Sequence, residues 1–119
     1  MSEKDCIFCR IVRGEMDAEV VHDEDEVLAF NDIRGLAPVH VLVIPKQHLA
    51  DSVADLDLGD PGVAQTWANL LAVAQRVGSA PEFAGGWRLV TNVGQDGGQS
   101  VFHLHLHVLA GRRLAWPPG

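Results

Sequence analysis

Cysteine is nearly absent from the 119 residues: there are two, and both fall inside Cys6-Ile7-Phe8-Cys9. Without widely spaced pairs the chain cannot be a secreted disulfide scaffold, and the Cys pair reads as metal-binding or redox chemistry. Basic charge is scarce as well. Nine Lys and Arg stand against 16 Asp and Glu, leaving a formal net charge of -7, and Arg112-Arg113 is the sole basic cluster. A nucleic-acid backbone needs several phosphate-neutralising side chains, so no nucleic-acid partner is expected, although acidity does not exclude a small nucleotide. No stretch approaches the roughly 18 apolar residues needed to cross a bilayer. Met1-Ser2-Glu3-Lys4-Asp5 shows no basic segment leading into an apolar one. The expectation is a soluble cytoplasmic protein with no membrane partner. What is present, 47% hydrophobic and 21% charged residues, suits one compact domain over 1–119.

Hydrophobic patterning predicts the elements. Glu19-Val20-Val21-His22 and Val27-Leu28-Ala29-Phe30 read as a hairpin around the acidic turn Asp23-Glu24-Asp25-Glu26, whose charges need only be solvated. A β-branched strand follows over 39–44, closed by Pro45. Asp60 is placed to cap a helix with Pro61 at its first position. Val63, Trp67, Leu70, Leu71, Ala74 and Val77 repeat at helical spacing until Gly78 ends it. Residues 87–93 read as a strand, 94–100 as a glycine-rich loop and 101–109 as the last strand, with Trp67 and Trp87 in the core. The order β-β-β-α-β-β argues for an α+β fold with a mostly antiparallel sheet.

In Val101-Phe102-His103-Leu104-His105-Leu106-His107-Val108, histidine and apolar residues alternate. Period two puts three imidazoles on one face and Phe102, Leu104, Leu106 and Val108 on the core face. At about 3.3 Å per residue the outer rings are roughly 13 Å apart, so one metal could take two neighbours but hardly all three. A neutral imidazole is a competent nucleophile toward phosphorus and leaves readily, so a central histidine flanked by hydrogen-bonding ones can form and then hydrolyse a phospho-histidine. This chemistry requires the middle ring to face an open cleft. The adjoining loop, Gly94-Gln95-Asp96-Gly97-Gly98-Gln99-Ser100, suits a phosphate through its backbone N–H groups and through Gln99 and Ser100.

His103-Leu104-His105-Leu106-His107-Val108-Leu109 resembles the signature of the histidine triad (HIT) superfamily, and the chain looks most like its Hint branch of nucleoside phosphoramidases. The resemblance runs from Cys6-Ile7-Phe8-Cys9 through Ala29-Phe30-Asn31-Asp32-Ile33, His40-Val41-Leu42-Val43-Ile44-Pro45-Lys46 and Gly97-Gly98-Gln99-Ser100 to Trp116-Pro117-Pro118-Gly119. It implies a mostly antiparallel five-stranded sheet with one main helix, and a homodimer that joins two sheets into a continuous ten-stranded one. It also implies a covalent nucleotidyl-histidine mechanism with net retention at phosphorus. His105 would be the nucleophile toward a purine nucleoside 5′-phosphoramidate, releasing the nucleoside monophosphate. His107 and Ser100 would act around the phosphate and leaving group, and His40 would support the row from the neighbouring strand. Asp32 would hold the ribose and Ile7, Phe8, Phe30 and Ile33 would pack round the base. Asn92, Gly98, Gln99 and Val101 would complete the pocket, with Trp116 in a tail that influences substrate choice.

The two-residue gap between Cys6 and Cys9 is one with which thiolates commonly clasp zinc, and two histidines would complete a tetrahedral site. The resemblance supplies His48 and His103, giving a closed structural site that catalysis does not require. A thioredoxin-like couple fits poorly, because it needs a βαβ context that does not surround Cys6. Other readings stay open at this stage: a non-enzymatic nucleotide-binding module, a hydrolase or transferase of dinucleoside polyphosphates, and a hydrolase with an open zinc on two triad histidines.

Overall fold

The computed structural model describes residues 5–119. Residues 1–4, which belong to the segment read for a leader and to the expected 1–119 domain, lie outside the described residues. The elements in chain order are α1 (Ile7–Val12), β1 (Val20–Asp23), β2 (Val27–Asn31), β3 (Val39–Pro45), α2 (Pro61–Gly78), β4 (Arg88–Val90) and β5 (Leu106–Ala110). The five strands form one sheet in the order β1-β2-β3-β5-β4, and each neighbouring pair is antiparallel. The α+β expectation therefore holds. No helix among the described residues is long and apolar enough to cross a membrane.

The sheet is covered on both faces, and the two coverings differ in kind. On one face Val27, Ala29, Val41, Val43, Leu106 and Val108 pack with Leu70, Val73 and Ala74 of α2. On the other, Leu28, Phe30, Leu42 and Ile44 pack with Cys6, Phe8 and Cys9 at the start of α1. Strands buried on both faces lose the apolar/polar alternation of a half-solvated strand, which is why β2 and β3 read as nearly continuous apolar runs. Asp60 caps α2 as expected, its Oδ1 accepting from the N–H of Gly62 at 2.9 Å and of Val63 at 3.4 Å.

Several expectations need correction. The last strand begins at Leu106 rather than 101, and β4 stops at Val90 rather than 93. Where the ladder ends, other donors take over: the hydroxyl of Thr91 donates to the His105 carbonyl at 2.9 Å, and the N–H of Leu104 donates to Ala50 O at 2.9 Å. Leu104, Leu106 and Val108 reach the core face, but Phe102 is only half-buried. The six-residue α1 was not anticipated, being too short to show a helical repeat. The acidic turn does more than meet water: both carboxylate oxygens of Glu24 accept from Arg76 of α2 at 2.8 Å, Asn69 donates to Glu26, and Lys46 pairs with Asp23. These pairs are exposed and worth about 0–1 kcal/mol each.

Gly78 is the last residue of α2, and Ser79 is the cap. A Cβ at Gly78 would lie 2.2 Å from the indole of Trp87, so this glycine is required by close packing rather than by helix termination. Trp87 and Trp67 both pack half-buried against the core, as their composition suggests. Gly78→Ala is expected to destabilise the fold by about 1–3 kcal/mol through overpacking. The measurement is a lower urea midpoint at unchanged slope; an unaltered midpoint would show that the indole can move aside without cost.

Candidate functional site

Register decides which histidines meet. His107 lies opposite both Leu42 of β3 and Val90 of β4, and His40 lies opposite Leu109. His40 and His107 thus share the α1 face of the sheet with Leu42, and Nε2 of His40 sits 2.9 Å from Nδ1 of His107. A neutral imidazole has one donor and one acceptor nitrogen, so a partner that can only donate or only accept settles the tautomer. The backbone N–H of Leu36 donates to Nδ1 of His40 at 3.1 Å. The proton of His40 is therefore on Nε2, which donates to Nδ1 of His107 and leaves the proton of His107 on Nε2. Asp32 Oδ2, 3.6 Å from Nε2 of His40, favours the same arrangement.

The middle ring has the opposite tautomer. Nδ1 of His105 lies 2.7 Å from the carbonyl oxygen of His103, which only accepts, so Nδ1 carries the proton and Nε2 presents a lone pair. The ring is framed by Phe8, edge-on at 5.0 Å between centroids, and by His107 at 4.9 Å. His105 is buried, 6% exposed, and does not line the cavity beside His40 and His107, so the structure does not place it in the open cleft expected around it. Nε2 of His107 is the one sealed side-chain nitrogen or oxygen without a hydrogen-bond partner among the described residues. An orphaned N–H of this kind costs about 1–3 kcal/mol, and functional sites are where such costs are tolerated. Burial pushes His40 and His105 below the ordinary imidazole pKa and takes His107 down to about 4, helped there by its like-charged neighbours His105 and His40. The set is thus held neutral, and it offers a lone pair beside a free N–H.

His103 turns away from this pair toward the cysteines. Its Nδ1 is 3.3 Å from Cys6 Sγ and 3.6 Å from Cys9 Sγ, and Nδ1 of His48 is 3.4 Å from Cys9 Sγ. All four ligand atoms lie within 4.8 Å of one another. Bonds of about 2.3 Å to sulfur and 2.0 Å to nitrogen in a tetrahedron would separate S from N by about 3.5 Å, so the residues fit a four-coordinate metal. Both imidazoles are turned for that role: Nε2 of His103 donates to Pro45 O at 2.8 Å and Nε2 of His48 to Asp51 at 3.2 Å, leaving each Nδ1 as the lone-pair atom. Burial lowers His103 to about 4, which likewise keeps it a neutral ligand. A second group, Asp32, His40 and His107, is similarly close. A metal there would need the Nε2 lone pair of His40, where the Leu36 N–H obliges a proton to sit.

The remaining expected residues divide. A cavity of about 620 Å³ is lined by His40 and His107 together with Asn92, Trp116, Arg88 and Leu36. Phe8 and Phe30 are buried edge to face, and half-buried Val101 packs against them. Ile7 is partly exposed, while Ile33 is 93% exposed and left uncovered among the described residues. Asp32 is half-buried, and its Oδ1 accepts from the N–H of Arg34. Gly98 has φ +87°, which a side chain would resist. Gln99 was expected to offer its amide to a phosphate. Instead Oε1 accepts from Gly94 N–H and Nε2 donates to the carbonyls of Asp51 and Val101, so both ends are spent on holding the loop. Ser100 is exposed and bonds to none of the histidines. Sequence reasoning missed the roles of Leu36 and Pro45, which act through backbone groups, and of Thr91, whose hydroxyl acts just past the end of β4. Asp51, three residues after His48, had a readable signal in that spacing.

Comparison with known proteins agrees with this geometry. The family model of the HIT domain matches residues 13–114. An uncharacterized HIT-like protein of Synechococcus elongatus is 43% identical over 122 residues, covering 100% of both chains. Among solved structures, a HIT family hydrolase from Legionella pneumophila is 44% identical with a TM-score of 0.88, covering 97% of this chain and 100% of that one. A hypothetical histidine triad nucleotide-binding protein from Sulfolobus tokodaii is 32% identical with a TM-score of 0.74, covering 88% of this chain and 68% of that one. With its histidine row, its sheet order and these likenesses together, the chain belongs to the HIT family.

Proposed function

We propose that this chain, acting as one domain over 1–119, is a nucleotide hydrolase of the Hint type that cleaves purine nucleoside 5′-phosphoramidates through a nucleotidyl group on His105. The observation that carries the reading is the pair of opposed tautomers, a lone pair on Nε2 of His105 beside an unpartnered N–H on Nε2 of His107. The named hydrolase and nucleotide-binding relatives support the class of reaction. Nε2 of His105 attacks the α-phosphorus and the P–N bond breaks. The amine takes a proton from the Ser100 hydroxyl, and the water that next attacks phosphorus returns one to it. Nε2 of His107 is sealed in this structure, so substrate entry must uncover it; its N–H then donates to a phosphoryl oxygen as charge grows there, from a ring already oriented by His40. Water then attacks phosphorus, the bond to His105 breaks, and the monophosphate leaves after two inversions, so configuration is retained and one water is consumed.

Asp32 binds the ribose hydroxyls and Ile7, Phe8, Phe30 and Ile33 enclose the base, with Asn92, the Gly98-Gln99 backbone, Val101 and Trp116 closing the pocket. Cys6, Cys9, His48 and His103 would hold zinc. With four protein ligands such an ion would have no open position, and it would join the start of α1 to the approach of β5. The thiols must stay reduced to serve, which suits the cytoplasm. β4 is an edge strand with its outer side unpaired, and a second copy adding there would make the ten-stranded sheet of a homodimer.

Three outcomes are expected. His105→Asn should leave a protein sedimenting at twice 12.9 kDa, yet lose at least about 10³-fold in release of AMP from an adenosine phosphoramidate. Turnover within a few-fold of wild type, or sedimentation at 12.9 kDa, would remove the respective assignment. Chelation should release about one zinc per chain and lower Tm while activity persists below the new transition. Immediate loss of all turnover in a still-folded protein would favour an open catalytic metal. For pH, an unfolded imidazole takes up a proton near 6.5 that folded His107 refuses until about 4. Stability from neutral His107 is therefore complete above pH 6.5 and lost as pH falls toward 4. Urea midpoints should decline over that window, and decline less in His107→Gln; identical declines would contradict the assignment.

A further inference from the structure

We propose that Arg112 is a positioning residue for the histidine pocket, gripping Leu36 so that its N–H keeps His40 and His107 in one tautomeric arrangement. This deepens the hydrolytic reading above and rests on it for its catalytic consequence. The tautomer of both rings is set by one loop N–H, that of Leu36 on Nδ1 of His40. Leu36 is 71% exposed in the loop between β2 and β3, so apolar burial among the described residues does little to hold it. What holds it is polar: Nη2 of Arg112 donates to the Leu36 carbonyl at 2.7 Å, on the other side of the same Cα. With the carbonyl held on one side and the N–H taken up on the other, the backbone of Leu36 has little freedom to turn.

Arg112 is delivered to the loop by its neighbour. Gly111 has φ +96°, and a Cβ there would be 2.9 Å from Pro38 Cβ, so the end of β5 lies directly against the loop that carries Leu36. The residue before Leu36 is Gly35, the least restrained backbone in the loop. Without Arg112, the peptide between Gly35 and Leu36 can turn its carbonyl toward Nδ1 of His40. A carbonyl only accepts, so the proton of His40 would shift to Nδ1, Nε2 would become the acceptor, and the proton of His107 would move to Nδ1. Nε2 of His107 would then present a lone pair, which repels a phosphoryl oxygen instead of binding it. Asp32 opposes the reversal from 3.6 Å, so a mixture of arrangements is the expected result rather than a complete switch.

The test compares wild type with Arg112→Ala, Arg112→Lys and Arg113→Ala by long-range proton–nitrogen NMR of the imidazoles, which reads the tautomer of each ring without any substrate. Wild type and Arg113→Ala should show His40 and His107 both protonated on Nε2. Arg112→Ala should show mixed tautomers at these two rings, with amide signals remote from the loop unchanged. Arg112→Lys, which keeps a charged donor, should restore the wild-type tautomers in large part. On an adenosine phosphoramidate, Arg112→Ala should lower kcat about five- to ten-fold with KM within about two-fold, as loss of one oriented donor predicts. Single Nε2–H tautomers in folded Arg112→Ala, or shifted tautomers with wild-type kcat, would overturn the proposal. If wild type turns over no phosphoramidate, the assigned reaction fails on its own account, and the imidazole spectra still decide whether Arg112 sets the tautomers.

Discussion

A neutral imidazole cannot donate, or accept, at both nitrogens, and the histidine face of this protein is built on that constraint. The His103 carbonyl takes the proton side of His105, the Pro45 carbonyl takes the proton side of His103, and the Leu36 amide takes the lone-pair side of His40. Each partner is a backbone group able to play only one part. The three ring orientations follow, and through His40 the orientation of His107 as well. Burial reinforces the arrangement by disfavouring imidazolium, which would make both nitrogens donors and break the pattern.

His103 links the two halves of this face. Its ring points into the Cys6 and Cys9 cluster while its carbonyl orients His105, so the group that fits a metal and the proposed nucleophile are joined through one residue. The division of labour within the row follows from where the ladder ends. His107 is in β5 and faces a neighbouring strand, whereas His103 and His105 precede it and are held by the Leu104 N–H on Ala50 and the Thr91 hydroxyl. A regular strand through all three would have kept their rings in a uniform comb. Release from the ladder lets the first ring turn to the cysteines and the second lie between Phe8 and His107.

Much of the architecture was legible because its causes are local. Asp60-Pro61 and the three- and four-residue spacing marked α2, and β-branched runs marked β2 and β3 to within a residue or two. The misreadings arose where a residue answers to a distant partner. Gly78 looks like a helix stop along the chain, yet it is small because Trp87 lies across it. Gln99 looks like a phosphate donor beside glycines, yet its amide is consumed by Gly94, Asp51 and Val101. Glu24 looks like solvated charge until Arg76 of α2 is seen against it.

The order of residues alone determined the alternation of three histidines, the Cys pair with its two-residue gap, the capped helix and hence the α+β class, since period and capping are properties of neighbouring positions. Tertiary structure decided which nitrogen of each ring carries its proton, which histidine turns to the cysteines, and that Leu36 and Arg112 matter to the pocket. Those outcomes depend on backbone carbonyls and amides brought together from separate segments. Every residue has such groups, so no residue type announces where they will be used.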